Sequence, residues 1–412
     1  MFLLPSKLAP LVNLIIRALT LLGKFVLLFY IAKFLSINEV GVYGLIVVVV
    51  SYALYAVGFD FYTYSTRELI RQPRSDWSGY LKKQLQLILI TYIILLPLIS
   101  VGISSIIDYH WLIYLCILIV LEHLNQEMMR LLIIDNKSVL ASNLMFIRGG
   151  LWCYVSIVLM YFHLIPQNLN SVLLAWITFD LIALSIGIYN IRQYLNFYNS
   201  APVSLIWITN GLKICIPLLF STLVVRAITT LDRIWLENLE GIEVVAAYAL
   251  FVGLTNSMIS FLETGVFSFI YPKMISSSQR REEFFKHVRK MIFQSTLLIS
   301  LISITLVSVL PYLLDWIGKE TYQQYKYVFY IILLANIFYC FSMIPHYILY
   351  ACNRDKLIIF SHILGLLVFI LSSLLFIYNH VPIAIAYGVC CAFFAIFIAK
   401  IFFSHKVMTG SV

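Results

Sequence analysis

Runs of about twenty apolar residues, repeated along almost the whole chain, dictate what this sequence can fold into. A helical stretch of that length matches the hydrocarbon thickness of a bilayer, because each residue advances a helix by about 1.5 Å. Reading such runs between polar breaks places twelve spans, at 11–34, 41–63, 84–107, 110–134, 139–162, 169–190, 211–236, 244–271, 291–314, 327–350, 357–378 and 382–403. In lipid every backbone N–H and C=O must be satisfied inside the chain, so the spans are helices. A transmembrane β-barrel is excluded, since its strands alternate over about ten residues and these runs are continuous. With 62% hydrophobic and only 11% charged residues in 412, too few polar side chains exist to cover soluble domains. The fold class that follows is an all-α integral membrane protein of about twelve transmembrane helices.

The first run, 11–34, is too long for a signal-peptide core and carries Arg17 and Lys24 within it, so no cleavable leader is expected. Connections after even-numbered spans include the two longest, 64–83 and 272–290, and these hold eleven basic residues: Arg67, Arg71, Arg74, Lys82 and Lys83 in one, Lys273, Arg280, Arg281, Lys286, Arg289 and Lys290 in the other. Lys7, Lys137, Arg192, Arg354, Lys356, Lys400 and Lys406 fall on the same side, against only Lys33, Lys319 and Lys326 opposite. The positive-inside rule then puts both termini in the cytoplasm. The same loops account for the net charge of +9 as topology determinants and contacts to anionic membrane lipids, with no nucleic acid required. The seven cysteines lie in or beside apolar stretches without metal-ligand spacing and read as reduced packing residues.

The two halves of the chain echo one another. Arg17-Ala-Leu-Thr-Leu-Leu-Gly-Lys24 in the first span and Arg226-Ala-Ile-Thr-Thr-Leu-Asp-Arg233 in the seventh share the pattern R-A-[LI]-T-x-L-x-[KR]. Gly41-Val-Tyr-Gly44 in the second span corresponds to Ala246-Ala-Tyr-Ala249 in the eighth. Six spans separate the copies, and an even number makes the repeat parallel. Two six-helix lobes, 1–198 and 199–412, are expected, joined by a polar linker near 191–206 and enclosing a central cavity, an architecture of transporters.

Ionisable residues inside a bilayer cost at least about 2.5–3.5 kcal/mol at its centre and normally face a partner or a cavity. Arg17 and Lys24, seven residues apart, share a helix face, and Arg226 and Arg233 repeat that spacing. These four cations are candidates to line a cavity that attracts an anion, arginine offering paired hydrogen bonds to phosphate oxygens. The snorkelling alternative is strongest for Arg17 and Arg233. In the fourth span Glu122, Gln126 and Arg130 share a face, while Glu127 and Arg148 of the fifth stand at similar depth across a helical hairpin and could pair. That pair reads as a buried seam between helices or, with Arg148 added to the cations, as part of the substrate or proton path. Asp60, Asp180, Asp232 and Glu263 complete the intramembrane acids. With Glu122 and Glu127 they are the candidates for ion or proton coupling. No G-x-x-x-x-G-K-[ST] loop, HExxH or GxSxG is present, so no ATP-driven or hydrolytic activity, metal or cofactor is expected.

These residues bring a family into view. Leu35-Ser-Ile-Asn-Glu39-Val-Gly41-Val-Tyr43-Gly44, then Gly58-Phe-Asp60-Phe-Tyr-Thr-Tyr-Ser-Thr-Arg67-Glu68, resembles the amino-terminal signature of bacterial polysaccharide flippases. These export O-antigen and capsule repeat units and fall in the multidrug/oligosaccharidyl-lipid/polysaccharide exporter superfamily. Thr230-Leu-Asp232-Arg233-Ile-Trp-Leu and Ala247-Tyr248-Ala-Leu are similar to that family's seventh and eighth helices, and size and helix count agree along the chain. The resemblance implies a substrate, a polyprenyl-pyrophosphate-linked oligosaccharide, turned from the cytoplasmic to the periplasmic leaflet of the inner membrane by alternating access. It also implies partners in the same pathway, a polymerase and a chain-length regulator. Family members place working charges in the first, second, seventh and eighth helices, matching Arg17, Lys24, Arg226 and Arg233. The second copy departs from the glycines of the first at Ala246 and Ala249. Two alternatives stay open: an ion-coupled multidrug or small-solute antiporter of the same fold, and a polysaccharide polymerase or ligase. Against the latter, the longest outer connection, 315–326, is too short to build a glycosyl-transfer site.

Overall fold

The apolar runs fold as helices in a computed structural model that describes residues 9–198, 203–277 and 280–409. The first half contains α1 (Ala9–Phe34), α2 (Ile37–Gly58), α3 (Tyr62–Arg71), α4 (Trp77–Ile103), α5 (Tyr109–Ile134), α6 (Ser138–Phe146), α7 (Trp152–Tyr161) and α8 (Leu169–Ile191). After it come α9 (Leu205–Glu240), α10 (Ile242–Leu262), α11 (Ser268–Ser276), α12 (Arg281–Ile317), α13 (Glu320–Gln324), α14 (Lys326–Ala351), α15 (Asp355–Tyr378) and α16 (Ala384–Thr409). No strand occurs among the described residues. Eleven helices, some built of consecutive segments, are long and apolar enough to cross a membrane, and a twelfth if the parts of α9 around Pro217 form one span. The chain divides into two compact units, Met1–Leu223 and Val224–Val412, a division inside α9 rather than at the polar linker.

The long basic connections are shorter as loops than their hydropathy suggests. Most of 272–290 belongs to helix, because α12 begins at Arg281 and runs on through the charged stretch. Likewise 64–83 contains most of α3 and the start of α4. Hydropathy marks only the part of a helix that lipid surrounds. Arg, Lys, Glu and Gln sustain a helix well beyond it. One basic residue assigned to the aqueous side does not belong there at all: Lys400 is 0% exposed, packed inside the second unit.

The internal repeat is visible in how each unit is tied. At the start of α2, Ser36 and Glu39 form a reciprocal cap: Ser36 N donates to Glu39 Oε2 at 3.0 Å and Glu39 N to Ser36 Oγ at 3.3 Å. The other oxygen, Glu39 Oε1, accepts from Leu169 N at 2.8 Å, at the start of α8. In the second unit Glu240, at the end of α9, accepts from Ile383 N at 3.1 Å, just before α16. In both units an acid from the connection between first and second spans satisfies an orphan N–H at the start of the sixth. Helix starts leave such donors unpaired, and an acid there also meets the positive end of the helix dipole.

At the opposite end of the first unit, α3 lays Ser65 and Leu69 against the bundle, and Trp77 Nε1 donates to Leu69 O at 2.9 Å. Asp135, in the turn after α5, accepts from Tyr194 OH at 2.8 Å and pairs with Lys137 at 2.8 Å and Arg74 at 3.2 Å. Burial alone would raise its pKa. The hydrogen bonds from Lys137 and Tyr194 and the Lys137 and Arg74 charges outweigh that and hold the carboxyl below the usual aspartate range.

Two outcomes follow. Glu39→Ala, which removes the cap and the tie to Leu169, should lower unfolding stability by about 1–2 kcal/mol, read by thermal denaturation in lipid nanodiscs. Because the folded pKa of Asp135 is depressed, its contribution is complete above the unfolded value of about 3.9 and is lost as pH falls below it. The wild type should therefore lose more stability on acidification through that range than Asp135→Asn does, and parallel curves would remove Asp135 from the account.

Candidate functional site

The polar residues of the first unit meet in one buried layer centred on α5. Arg148 stands in a π-helical turn, Ile147–Leu151, between α6 and α7. Such a turn holds one extra residue and rotates the side chains that it carries. Arg148 Nη1 donates to Glu122 Oε2 in an ion pair. The second oxygen, Glu122 Oε1, accepts from Trp176 Nε1 of α8 at 2.9 Å, and Trp176 stacks on Trp152 with ring centroids 5.3 Å apart and planes 4° from parallel. The expected pairing of Arg148 with Glu127 does not form. Glu127 is bound to Arg130 one turn along and accepts from Gln84 Nε2 at 2.7 Å. The guanidinium of Arg130 in turn lies 3.3 Å from the centre of the Tyr62 ring. The hairpin arithmetic pointed to an acid of α5, and the partner lies five residues further from the turn than expected.

Asp180, one turn beyond Trp176, is 0% exposed. Its main-chain carbonyl accepts from Asn125 Nδ2 at 2.9 Å, yet neither carboxylate oxygen has a hydrogen-bond donor. The charges that act on it are Glu122, Arg148 and Lys24. His123 shares a hydrogen bond of 2.8 Å between Nδ1 and the Tyr92 hydroxyl, while its Nε2 is turned towards the end of α2. There a Cβ on Gly58 would fall 2.6 Å from that nitrogen, so only glycine lets the ring in. The next two residues, Phe59 and Asp60, have φ of 50° and 49° and break the span before α3. Asp60 is buried, its carbonyl accepting from Thr63 N and Oγ1 at 2.9 Å.

The candidate cations occupy different surroundings. Arg17 and Lys24 are both exposed on α1, with Lys24 acting electrostatically on Asp180 and Cys153. In the second unit Arg226 is half-buried and acts on Glu263, which opens a π-helical turn, Glu263–Phe267, between α10 and α11. Arg233 is buried beside Asp232. The Asp232 carboxylate accepts from Arg233 N at 2.6 Å and Tyr248 OH at 2.8 Å. Lys24, Arg148, Glu122 and Asp180 are thus brought together in the first unit, and Arg226 with Glu263 in the second. Asn125 and Trp176 join the first group, and Gln84 joins Glu127 and Arg130 beside it. The rule that singles out charges in apolar runs would have found the two amides had it included uncharged polar residues.

No protein-family model matches the sequence, and no curated protein matches it significantly. Solved structures do. A multidrug resistance MATE family transporter of the MOP superfamily, in an inward-facing conformation, has a TM-score of 0.77 at 12% identity over 97% of this chain and 98% of its own. The lipid II flippase MurJ, inward closed, has 0.72 at 13% identity over 96% and 87%. A MOP superfamily transporter from Pyrococcus furiosus, described by a reversed polarity of its binding pocket that suggests a different function, has 0.52 at 12% over 98% and 94%. The chain has the fold of these transporters over nearly all its length.

Breaking a buried ion pair on one side leaves a charge unpaired, at about 3–5 kcal/mol. Arg148→Leu should destabilise the protein by that order in nanodisc denaturation, and Glu122→Leu in the same background should restore much of the loss. Additive losses would show that the two residues do not act as a pair.

Proposed function

We propose that this protein is a flippase that moves a polyprenyl-pyrophosphate-linked oligosaccharide repeat unit from the cytoplasmic to the periplasmic leaflet of a bacterial inner membrane, for O-antigen or other surface polysaccharide. The observation that carries this reading is Lys24, a cation in the middle of an apolar α1 that is exposed on the same face as Arg17. A charge at that depth is tolerated where it meets water or a ligand rather than lipid chains. Two accessible cations on one face suit an anionic pyrophosphate, and the fold shared with a lipid II flippase supports a lipid-linked cargo. Arg226, half-buried and acting on Glu263, is proposed to meet the cargo as well, whereas Arg148 is ion-paired with Glu122 and Arg233 lies buried. Both termini are cytoplasmic in this reading, and the product passes to a polymerase and chain-length regulator.

The energy source proposed is an ion gradient felt at Asp180. Its carboxylate lacks any hydrogen-bond donor and lies within reach of Lys24. Loading it with a proton or cation changes the field at a substrate-binding lysine, a direct route for coupling. Asp60, Glu122, Glu127, Asp232 and Glu263 have partners of their own and are placed behind Asp180. A second reading, a multidrug antiporter, is favoured by the shared fold with a multidrug transporter. It would be expected to offer an organic cation acids and aromatics, where α1 offers bases.

The deciding measurement is the fate of polyprenyl-linked intermediates in cells lacking the protein, with periplasmic access scored separately. Complete repeat units should accumulate on the cytoplasmic leaflet, and Lys24→Ala or Arg226→Ala should fail to relieve this while still reaching the membrane. Lys290→Ala, far along the basic start of α12, should complement. Unchanged intermediates together with heightened drug sensitivity would establish the antiporter instead. Units that reach the periplasm unpolymerised would point to the enzyme.

A further inference from the structure

Three basic side chains lie together inside the second unit, and no acid among the described residues acts on them. His346 lies near the C-terminal end of α14, His362 in the second turn of α15 and Lys400 toward the C-terminal end of α16. Successive antiparallel helices bring these ends to one side. The two imidazoles lie nearly parallel, with centroids 6.1 Å apart and planes 14° from each other, and Lys400 is within electrostatic reach of both. Lys400 is 0% exposed, so its amine does not snorkel to the interface as an isolated lysine would. Lys400 Nζ, His346 Nδ1 and His362 Nδ1 are all buried and all without a hydrogen-bond partner. The hydroxyls of Ser361 and Ser404 donate to Ile358 O and Ile401 O and accept from none of the three.

Without an acceptor or a counter-charge the ammonium form of Lys400 is strongly disfavoured at this depth, and an anion bound beside it would stabilise that form. Three buried basic nitrogens without partners on neighbouring helices, the imidazoles able to donate in the appropriate tautomer, define the complement: a ligand that accepts hydrogen bonds and carries negative charge. A metal ion is the wrong sign beside an ammonium, and among the described residues no three His, Cys, Asp or Glu converge to bind one. A water molecule would accept hydrogen bonds but leave the charge. The size is limited by the packing. Gly365, one turn from His362, is so close to Ile396, one turn before Lys400, that a Cβ there would overlap the isoleucine side chain. Helices at that spacing leave room for a single-atom ion more readily than for phosphate or sulfate, whose stronger hydration also raises the cost of entry.

We propose that Lys400, His346 and His362 form a binding site for a small monovalent anion, a halide such as chloride, that ties α14, α15 and α16 together near one membrane surface. The site is separate from the cations proposed to meet the transported cargo, and its occupancy sets the stability of the second unit.

Binding of radiolabelled chloride to the full chain in nanodiscs tests this, with gluconate replacing chloride at constant ionic strength. A single saturable site is expected, and chloride should raise the thermal unfolding midpoint relative to gluconate. Lys400→Met should weaken binding by more than about tenfold, equivalent to 1.4 kcal/mol, and abolish the chloride-dependent rise. His346→Asn and His362→Asn should each weaken it in part, and they decide the matter if Lys400→Met does not fold. No saturable chloride binding by the wild type, or unchanged affinity in these variants, would overturn the site. Tighter displacement by phosphate or sulfate than by bromide would overturn its assignment to a halide.

Discussion

A backbone N–H or C=O in hydrocarbon has no water to turn to, so each span of this chain must satisfy its own polar groups by remaining a helix. Departures from regular helix are therefore confined to places where side chains or neighbouring helices compensate. Two π-helical turns, at Ile147–Leu151 and Glu263–Phe267, each carry an ionisable residue that faces an opposite charge, Arg148 with Glu122 and Glu263 with Arg226. The left-handed pair Phe59 and Asp60 closes α2 where Gly58 admits the His123 ring. Irregular backbone and intramembrane charge occur together because each makes room for the other.

The charges fall into two kinds. Arg148 and Arg130 are ion-paired with Glu122 and Glu127 in their own unit, and the Arg148–Glu122 pair ties the π turn after α6 to α5. Arg17 and Lys24 stand exposed on α1, Asp180 keeps an unpartnered carboxylate, and Lys400 an unpartnered amine. Satisfied groups set the frame, and unsatisfied ones invite a ligand or a proton. On this division Asp180 and Lys400, both fully buried and without hydrogen-bond partners, are the groups proposed to take up a proton or a ligand.

Much of this was legible in the chain. The helix count, the membrane class and the parallel repeat follow from run length and from the R-A-[LI]-T motif, and the structure adds a second mark of the repeat in the equivalent ties of Glu39 to Leu169 and Glu240 to Ile383. Those acids sit in connections that hydropathy reads only as loops, so their partners were invisible. The candidate site was legible as residue types, since a charge in an apolar run stands out whatever surrounds it. Its grouping was not.

What the sequence alone determined is what a single helix needs: length, apolarity and the positions of charge, all set by local pattern and by lipid as the solvent. What only the tertiary structure decided is which charge meets which. Arg148 meets Glu122 while Glu127 is taken by Arg130 and Gln84, and Lys400 lies within the bundle rather than in the aqueous margin because α14 and α15 pack against α16. Helical phase and the faces of packed neighbours depend on residues far apart in the chain, and no local pattern encodes them.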